Sequence, residues 1–242
     1  MLTHAELAAL QLAAYEYPNA SGVVTPFPWD WQSTLQKACA PIAAGLRVVC
    51  KDQVIIMPGT GGDVTPAETR RQWEHNLAPW PDRLSHPLFG WVCARFYEEV
   101  EKFVLDIVPH IDATSPIYCI GHSRGAPQAA YVAGLLLSKG FTITELIQFA
   151  PPRAGGKQFA IYIESIPKTL YRNVGAAFPH ADLVTDVPFD IPLVEPCCQV
   201  GRLFERTVVP LPDDTWGVFC YHHMQLYASG TFADLSVGSP IS

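Results

Sequence analysis

Residues 121–125 read Gly-His-Ser-Arg-Gly, and they constrain the chain more than any other five. The run before them, Ile117 to Ile120, is short, apolar and β-forming, while Pro127 to Ser138 after them is helical, with proline in its first turn and Gly140 past its end. A G-x-S-x-G between a strand and a helix is the pattern of a nucleophile elbow. Its serine sits on a turn too tight for side chains on either flank, so glycine is needed there. The spacing therefore predicts Ser123 exposed at the carboxyl edge of a sheet, facing the positive end of the following helix dipole. The rival reading is an ordinary glycine-flanked β-to-α turn without chemistry.

The rest of the chain supplies a setting for such a turn. Thr3-His4-Ala5-Glu6 is a capping box, and a first helix is predicted from there to about Tyr15. Pro18 to Pro28 is turn-rich, and Asp30 can cap a second helix through Gln32 to about Ala43. Leu46 to Cys50 and Gln53 to Met57 read as a hairpin around Lys51-Asp52, with Val54 to Met57 a buried central strand. After the loop Pro58-Gly59-Thr60-Gly61-Gly62, large apolar residues recur at helical spacing: Trp73, Leu77, Trp80 and Leu84. Phe89 to Val108 carries a second helical stripe at Phe96, Val100, Phe103, Val104 and Ile107, and Glu145 to Phe149 and Thr169 to Val174 are further strands. Strands alternating with helices predict a mainly parallel central sheet with helices on both faces, and 242 residues suit a single domain spanning 1–242.

Composition excludes several function classes. With a net charge of −7 and its few Lys and Arg scattered, the chain lacks the basic face that nucleic acid requires. Seven cysteines without a C-x-x-C pair read as reduced thiols. Cys197-Cys198 and His222-His223 are adjacent pairs without the spacing that closes a zinc tetrahedron, so neither metal nor cofactor is expected. The first 36 residues hold no Lys or Arg, unlike the basic start of a secretory leader, which makes the cytoplasm the expected location. The longest apolar run, Ala129 to Leu137, is about half of what crosses a bilayer, so no transmembrane segment is expected.

A serine hydroxyl becomes a nucleophile when an imidazole takes its proton, and a carboxylate must fix that imidazole's tautomer. On an elbow of this kind the acid and then the histidine follow the serine. Of eight histidines, only His180, His222 and His223 lie downstream, and His180 precedes the loop aspartates, which leaves His222 and His223. Asp182, Asp186, Asp190, Asp213 and Asp214 are the available carboxylates, with Asp182 coming soonest after the strand ending near Val174. The oxyanion hole needs an amide from the residue after the nucleophile, here Arg124, and one from the loop after the earlier central strand, where residues 58–62 are glycine-rich.

In these segments the chain resembles the class 3 lipases, the fungal-lipase-like branch of the α/β hydrolases. The resemblance runs through Ile55 to Thr60 (IIMPGT), Gly121 to Ala126 (GHSRGA), Phe149 to Gly156 (FAPPRAGG), Ala181 to Pro188 (ADLVTDVP) and His222 to Tyr227 (HHMQLY), five segments in the family's order. It implies an α/β-hydrolase fold with Ser123 as nucleophile, Asp182 as acid, His222 as base, and Thr60 and Arg124 as oxyanion donors. The five-residue step from His222 to Tyr227 selects His222 over His223. Thr69 to Trp73 is similar to the start of the family's lid helix, giving a lid-like segment at about 63–85. Pro58 stands where the family usually has Arg, and Arg124 where it has Leu, which puts a guanidinium beside the acyl site. The acid loop runs Asp182-Leu183-Val184-Thr185 without the usual proline, so Asp186 stays a rival to Asp182.

The expectation is a serine carboxylic ester hydrolase, a lipase or esterase acting on a lipid or medium-chain ester through an acyl-enzyme. Trp73, Leu77 and Trp80 would cover the acyl chain and touch a lipid surface transiently. The alternatives are a phospholipase or acyltransferase with the same three residues, and a non-catalytic binding protein on a hydrolase scaffold.

Overall fold

Thr3 opens the first helix as its capping box requires. Its hydroxyl accepts from the Glu6 amide at 3.3 Å, and the Thr3 amide donates to the Glu6 carboxylate at 2.8 Å. The computed structural model describes residues 2–15, 45–49, 52–59, 83–97, 100–174, 182–186, 198–201, 203–207 and 224–229. Within them α1 spans His4–Ala13. β1 (Gly45–Val49) and β2 (Asp52–Met57) form the expected antiparallel pair. β3 (Arg83–His86) and β4 (Gly90–Cys93) make a separate hairpin, followed by α2 (Ala94–Tyr97) and α3 (Val100–Ile107). Then come β5 (Ile117–His122), α4 (Gly125–Ser138), β6 (Glu145–Phe149), α5 (Lys157–Tyr162), β7 (Lys168–Val174), β8 (Leu203–Thr207) and α6 (Met224–Ser229).

One sheet runs in the order β1-β2-β5-β6-β7-β8, with every neighbour from β2 onward parallel. Successive side chains on each strand enter different cores, so the central strands are apolar throughout rather than alternating. Val54 and Ile56 of β2 and Tyr118 and Ile120 of β5 pack with Leu7 and Leu10 of α1 and Tyr227 of α6. Ile55 and Met57 of β2 and Ile117 and Cys119 of β5 pack with Phe96, Phe103 and Leu136 on the opposite face. Leu7 and Leu10 are 0% and 2% exposed, and each contributes roughly 1.5–3 kcal/mol to docking α1 on the sheet. All five residues of the stripe from Phe96 to Ile107 are buried.

Gly90–Cys93, at the start of the expected Phe89–Val108 helical segment, is strand, and the structure likewise corrects the helical reading around Leu84. That residue lies on β3, paired with Val92, and is 41% exposed. Pro87 has no amide hydrogen to continue a helix, and Gly90 at φ +71° turns the chain back. Residues 83–85 at the end of the expected lid-like segment are therefore strand, braced by the Arg83 guanidinium 4.0 Å over the Trp91 ring. The predicted helix through Gln32 and the residues Trp73, Leu77 and Trp80 lie outside the described residues. Among the described residues no helix is long and apolar enough to cross a membrane.

Candidate active site

β5 and α4 meet at Ser123, whose φ of +54° places a non-glycine residue in left-handed backbone. Such a residue costs about 1–2 kcal/mol, so the surroundings must impose it. The two flanking glycines show how. A Cβ on Gly121 would fall 2.2 Å from the Gly125 carbonyl oxygen, and one on Gly125 would fall 1.9 Å from the Met57 carbonyl oxygen. Strand β5, helix α4 and the end of β2 thus approach each other at backbone distance, leaving the serine as the only side chain of the turn's apex. The turn is further tied by the Ser123 amide donating to Phe149 O at 3.0 Å and the Ala126 amide donating to Ser123 O at 2.9 Å. Arg124 is the N-cap residue of α4, so the positive end of the helix dipole lies next to the serine.

The structure does not leave Ser123 exposed, as the elbow pattern alone suggested. It is 2% exposed. The chain leaving β2 lies directly on it: a Cβ on Gly59 would come 2.7 Å from Ser123 Cβ and 2.7 Å from the His122 carbonyl oxygen. Pro58 and Gly59 begin the glycine-rich loop expected from the sequence to carry the second oxyanion amide. Thr60 itself lies outside the described residues.

Asp182 is placed by β7. Its amide donates to Asn173 O at 3.0 Å, and the residue is fully buried. A buried carboxylate must be satisfied. Oδ1 accepts from the Val184 amide at 3.1 Å and Oδ2 from the Tyr227 hydroxyl at 3.1 Å. That hydroxyl in turn accepts from the Asn173 amide at 3.0 Å, so Tyr227 locks the acid loop to the end of β7. Gln199 adds a second clamp, donating to Thr185 O at 2.8 Å and to Pro151 O at 3.1 Å. Asp186, the rival, points elsewhere: it forms an ion pair with Arg172 at 3.0 Å and its side chain is 39% exposed. Asp190, Asp213, Asp214, His180, His222 and His223 lie outside the described residues.

Three features had no clear signal in the sequence. Tyr227 served there only to mark spacing, yet its hydroxyl holds the Asp182 carboxylate. Tyr15 follows α1 without any motif, yet it reaches the loop after β2. Ala150, at φ +49°, is the other non-glycine in left-handed backbone among the described residues, and it ends β6 beside the elbow as Ser123 ends β5.

A mostly parallel sheet with a strained serine at its carboxyl edge, between a strand and a helix, defines an α/β hydrolase. A model of the lipase (class 3) family matches residues 64–191. The chain belongs to the class 3 lipase family, and with it to the lipase-type ester hydrolases. Among solved structures, the triacylglyceride lipase of Rhizomucor miehei is 19% identical with a TM-score of 0.59, covering 84% of this chain and 78% of its own. The mono- and diacylglycerol lipase of Aspergillus oryzae is 16% identical with a TM-score of 0.59, covering 87% and 82%. At such identity the likeness speaks for the fold. A sequence search of curated proteins finds no significant match.

Proposed function

We propose that this protein cleaves carboxylic esters of lipids or medium-chain acids with Ser123 as nucleophile, Asp182 as acid and His222 as base. The observation that carries the reading is the pairing of a left-handed Ser123 on its elbow with an Asp182 that is buried yet doubly hydrogen-bonded at the end of β7. Burying a carboxylate is costly and is offset here by its hydrogen bonds, and its chain position between the serine and the last histidines is the one the chemistry demands. Asp186 is engaged by Arg172 and is the poorer acid for that role.

In the proposed reaction the His222 imidazole removes the Ser123 proton as the oxygen attacks the ester carbonyl. Asp182 holds the imidazole in the required tautomer and stabilises the imidazolium. The Thr60 and Arg124 amides take the developing oxyanion, and the alcohol leaves with the proton from His222. Water then hydrolyses the acyl-enzyme by the same steps. The solved relatives named above act on tri-, di- and monoacylglycerols by their descriptions, which makes acylglycerols the first substrates to try.

The test is hydrolysis of tributyrin, p-nitrophenyl butyrate and a phospholipid side by side, with fluorophosphonate labelling of the protein. Labelling and ester release by the wild type, both lost in Ser123→Ala, are expected. A wild type that is neither labelled nor active would instead favour a binding protein on this scaffold. Faster release from the phospholipid than from tributyrin would move the substrate class.

A further inference from the structure

Just beyond α1, Tyr15 reaches the loop that leaves β2. The Gly59 amide donates to the Tyr15 hydroxyl at 2.8 Å, and the same hydroxyl is hydrogen-bonded to Nδ1 of His122, the residue before the nucleophile. A phenol has one hydrogen to give. Burial pushes its pKa well above the ordinary 10, so that hydrogen stays on the oxygen. The phenol oxygen thus accepts from the Gly59 amide and shares a hydrogen bond with His122 Nδ1. The ring is held edge-on between Tyr15 and Tyr227, with centroids 5.6 and 5.8 Å away. One hydroxyl thus joins the elbow to the loop lying on it, and helix α1 itself is anchored to the same stretch, with Gln11 Nε2 donating to Met57 O at 3.1 Å.

We infer that Tyr15 is a positioning residue for ester hydrolysis: it captures the Gly59 amide, bridges it to His122, and so fixes Pro58 and Gly59, the start of the loop after β2, against the elbow that carries Ser123. The inference rests on the reading of Ser123 as nucleophile and of the residue 58–62 loop as oxyanion donor. The Gly59 amide, being occupied by Tyr15, is not itself a donor to the substrate, which leaves that task to the amide of Thr60. The geometry is demanding because Gly59 is pressed against the elbow so closely that no Cβ fits. An oxyanion donor contributes to the rate only if it is already aimed when charge develops. A loop released from Tyr15 would have to be reoriented in each turnover.

Tyr15→Phe keeps the ring and its packing and removes the hydroxyl. With p-nitrophenyl butyrate, kcat is expected to fall about three- to tenfold, the value of one hydrogen bond. KM should stay within about twofold, because the interaction lost acts in the transition state. Hydrogen exchange at the Gly59 amide should quicken in the same variant. Thr3→Ala is the structural control: it uncaps α1 and lowers Tm but leaves the Tyr15 hydroxyl in place, so kcat well below Tm should be unchanged. Equal loss of kcat in Thr3→Ala and Tyr15→Phe, or wild-type kcat and Gly59 exchange in Tyr15→Phe, overturns the positioning role. Turnover that survives Ser123→Ala sinks the nucleophile reading separately, and this inference with it.

Discussion

At Ser123 the backbone is held in an unfavourable conformation by what is missing, two Cβ atoms at Gly121 and Gly125 that would collide with carbonyl oxygens. At Asp182 the side chain is held by what is present, hydrogen bonds from Val184 and from the distant Tyr227. The Ser123 side is steric and local: its strand, turn and helix are contiguous in the chain. The Asp182 side is polar and assembled, because β7, a short turn at Leu183–Asp186, Gln199 and α6 each supply one contact. A steric device fails all at once when an atom is added. A hydrogen-bonded device fails by degrees, as donors are removed.

The widest separation between the two sides is expected from Asp182→Asn, which keeps the shape but presents the wrong hydrogen-bonding pattern to the base. By analogy with other triads, kcat should fall by about 10⁴ with the fold intact; a loss of under tenfold would pass the acid role to another carboxylate. Next comes Gly125→Ala on the steric side. Its added Cβ would collide with backbone atoms of Met57 and Pro58, so stability should drop by about 3 kcal/mol or more, seen as a lower denaturant midpoint. A well-folded Gly125→Ala would show that β2 and α4 can separate, and would dissolve the contrast drawn here.

Tyr227→Phe should cost less, about 1–3 kcal/mol, since it strips one donor from a buried carboxylate and one acceptor from the Asn173 amide. Its effect on kcat should be graded rather than absolute, and an all-or-none loss would argue that the acid side is no less brittle than the elbow. Asp186→Asn removes an ion pair whose aspartate is well exposed, and activity should change less than twofold.

The smallest effect is expected at the opposite edge of the sheet. There His4 Nε2 lies 3.1 Å from the Glu145 carboxylate, and Thr169 Oγ1 donates to it at 2.8 Å. Burial of Glu145 favours the neutral acid, but the hydrogen bonds from His4 and Thr169 and the charge of His4 outweigh it and hold the carboxyl below its ordinary 4.5. A depressed carboxyl contributes stability that is complete above its ordinary value and is lost as pH falls through its lower folded value. Urea midpoints of wild type and Glu145→Gln should therefore differ at pH 7 and converge as pH falls below the lowered carboxyl's own range, while kcat/KM at pH 7 stays the same. A change in kcat/KM would mean that the amino edge communicates with the site.

Much of the fold could be read in the residues themselves. The capping box at Thr3, the β1–β2 pair, the strands at Ile117, Glu145 and Lys168 and the helix after the elbow all follow from short-range periodicity and capping. Where periodicity misled, at Leu84, a proline and a positive-φ glycine outranked the spacing of apolar side chains. Strand β8 and helices α5 and α6 carry weaker patterns, and their identity comes from the sheet edge and cores they complete. In the site, Ser123 was legible because its motif is a backbone constraint written in consecutive residues. The difference between Asp182 and Asp186 was not, because both are four residues apart on one loop and only their partners tell them apart.

The amino acids in order determined that a serine would sit on a strained strand-to-helix turn, since glycine at 121 and 125 is a property of the chain whatever surrounds it. Tertiary structure alone decided which carboxylate is buried, that Tyr227 satisfies it, and that Tyr15 reaches Gly59. Those outcomes depend on hydrogen bonds between segments far apart in the chain, and such bonds acquire direction only once the sheet and its two helical layers have closed around them.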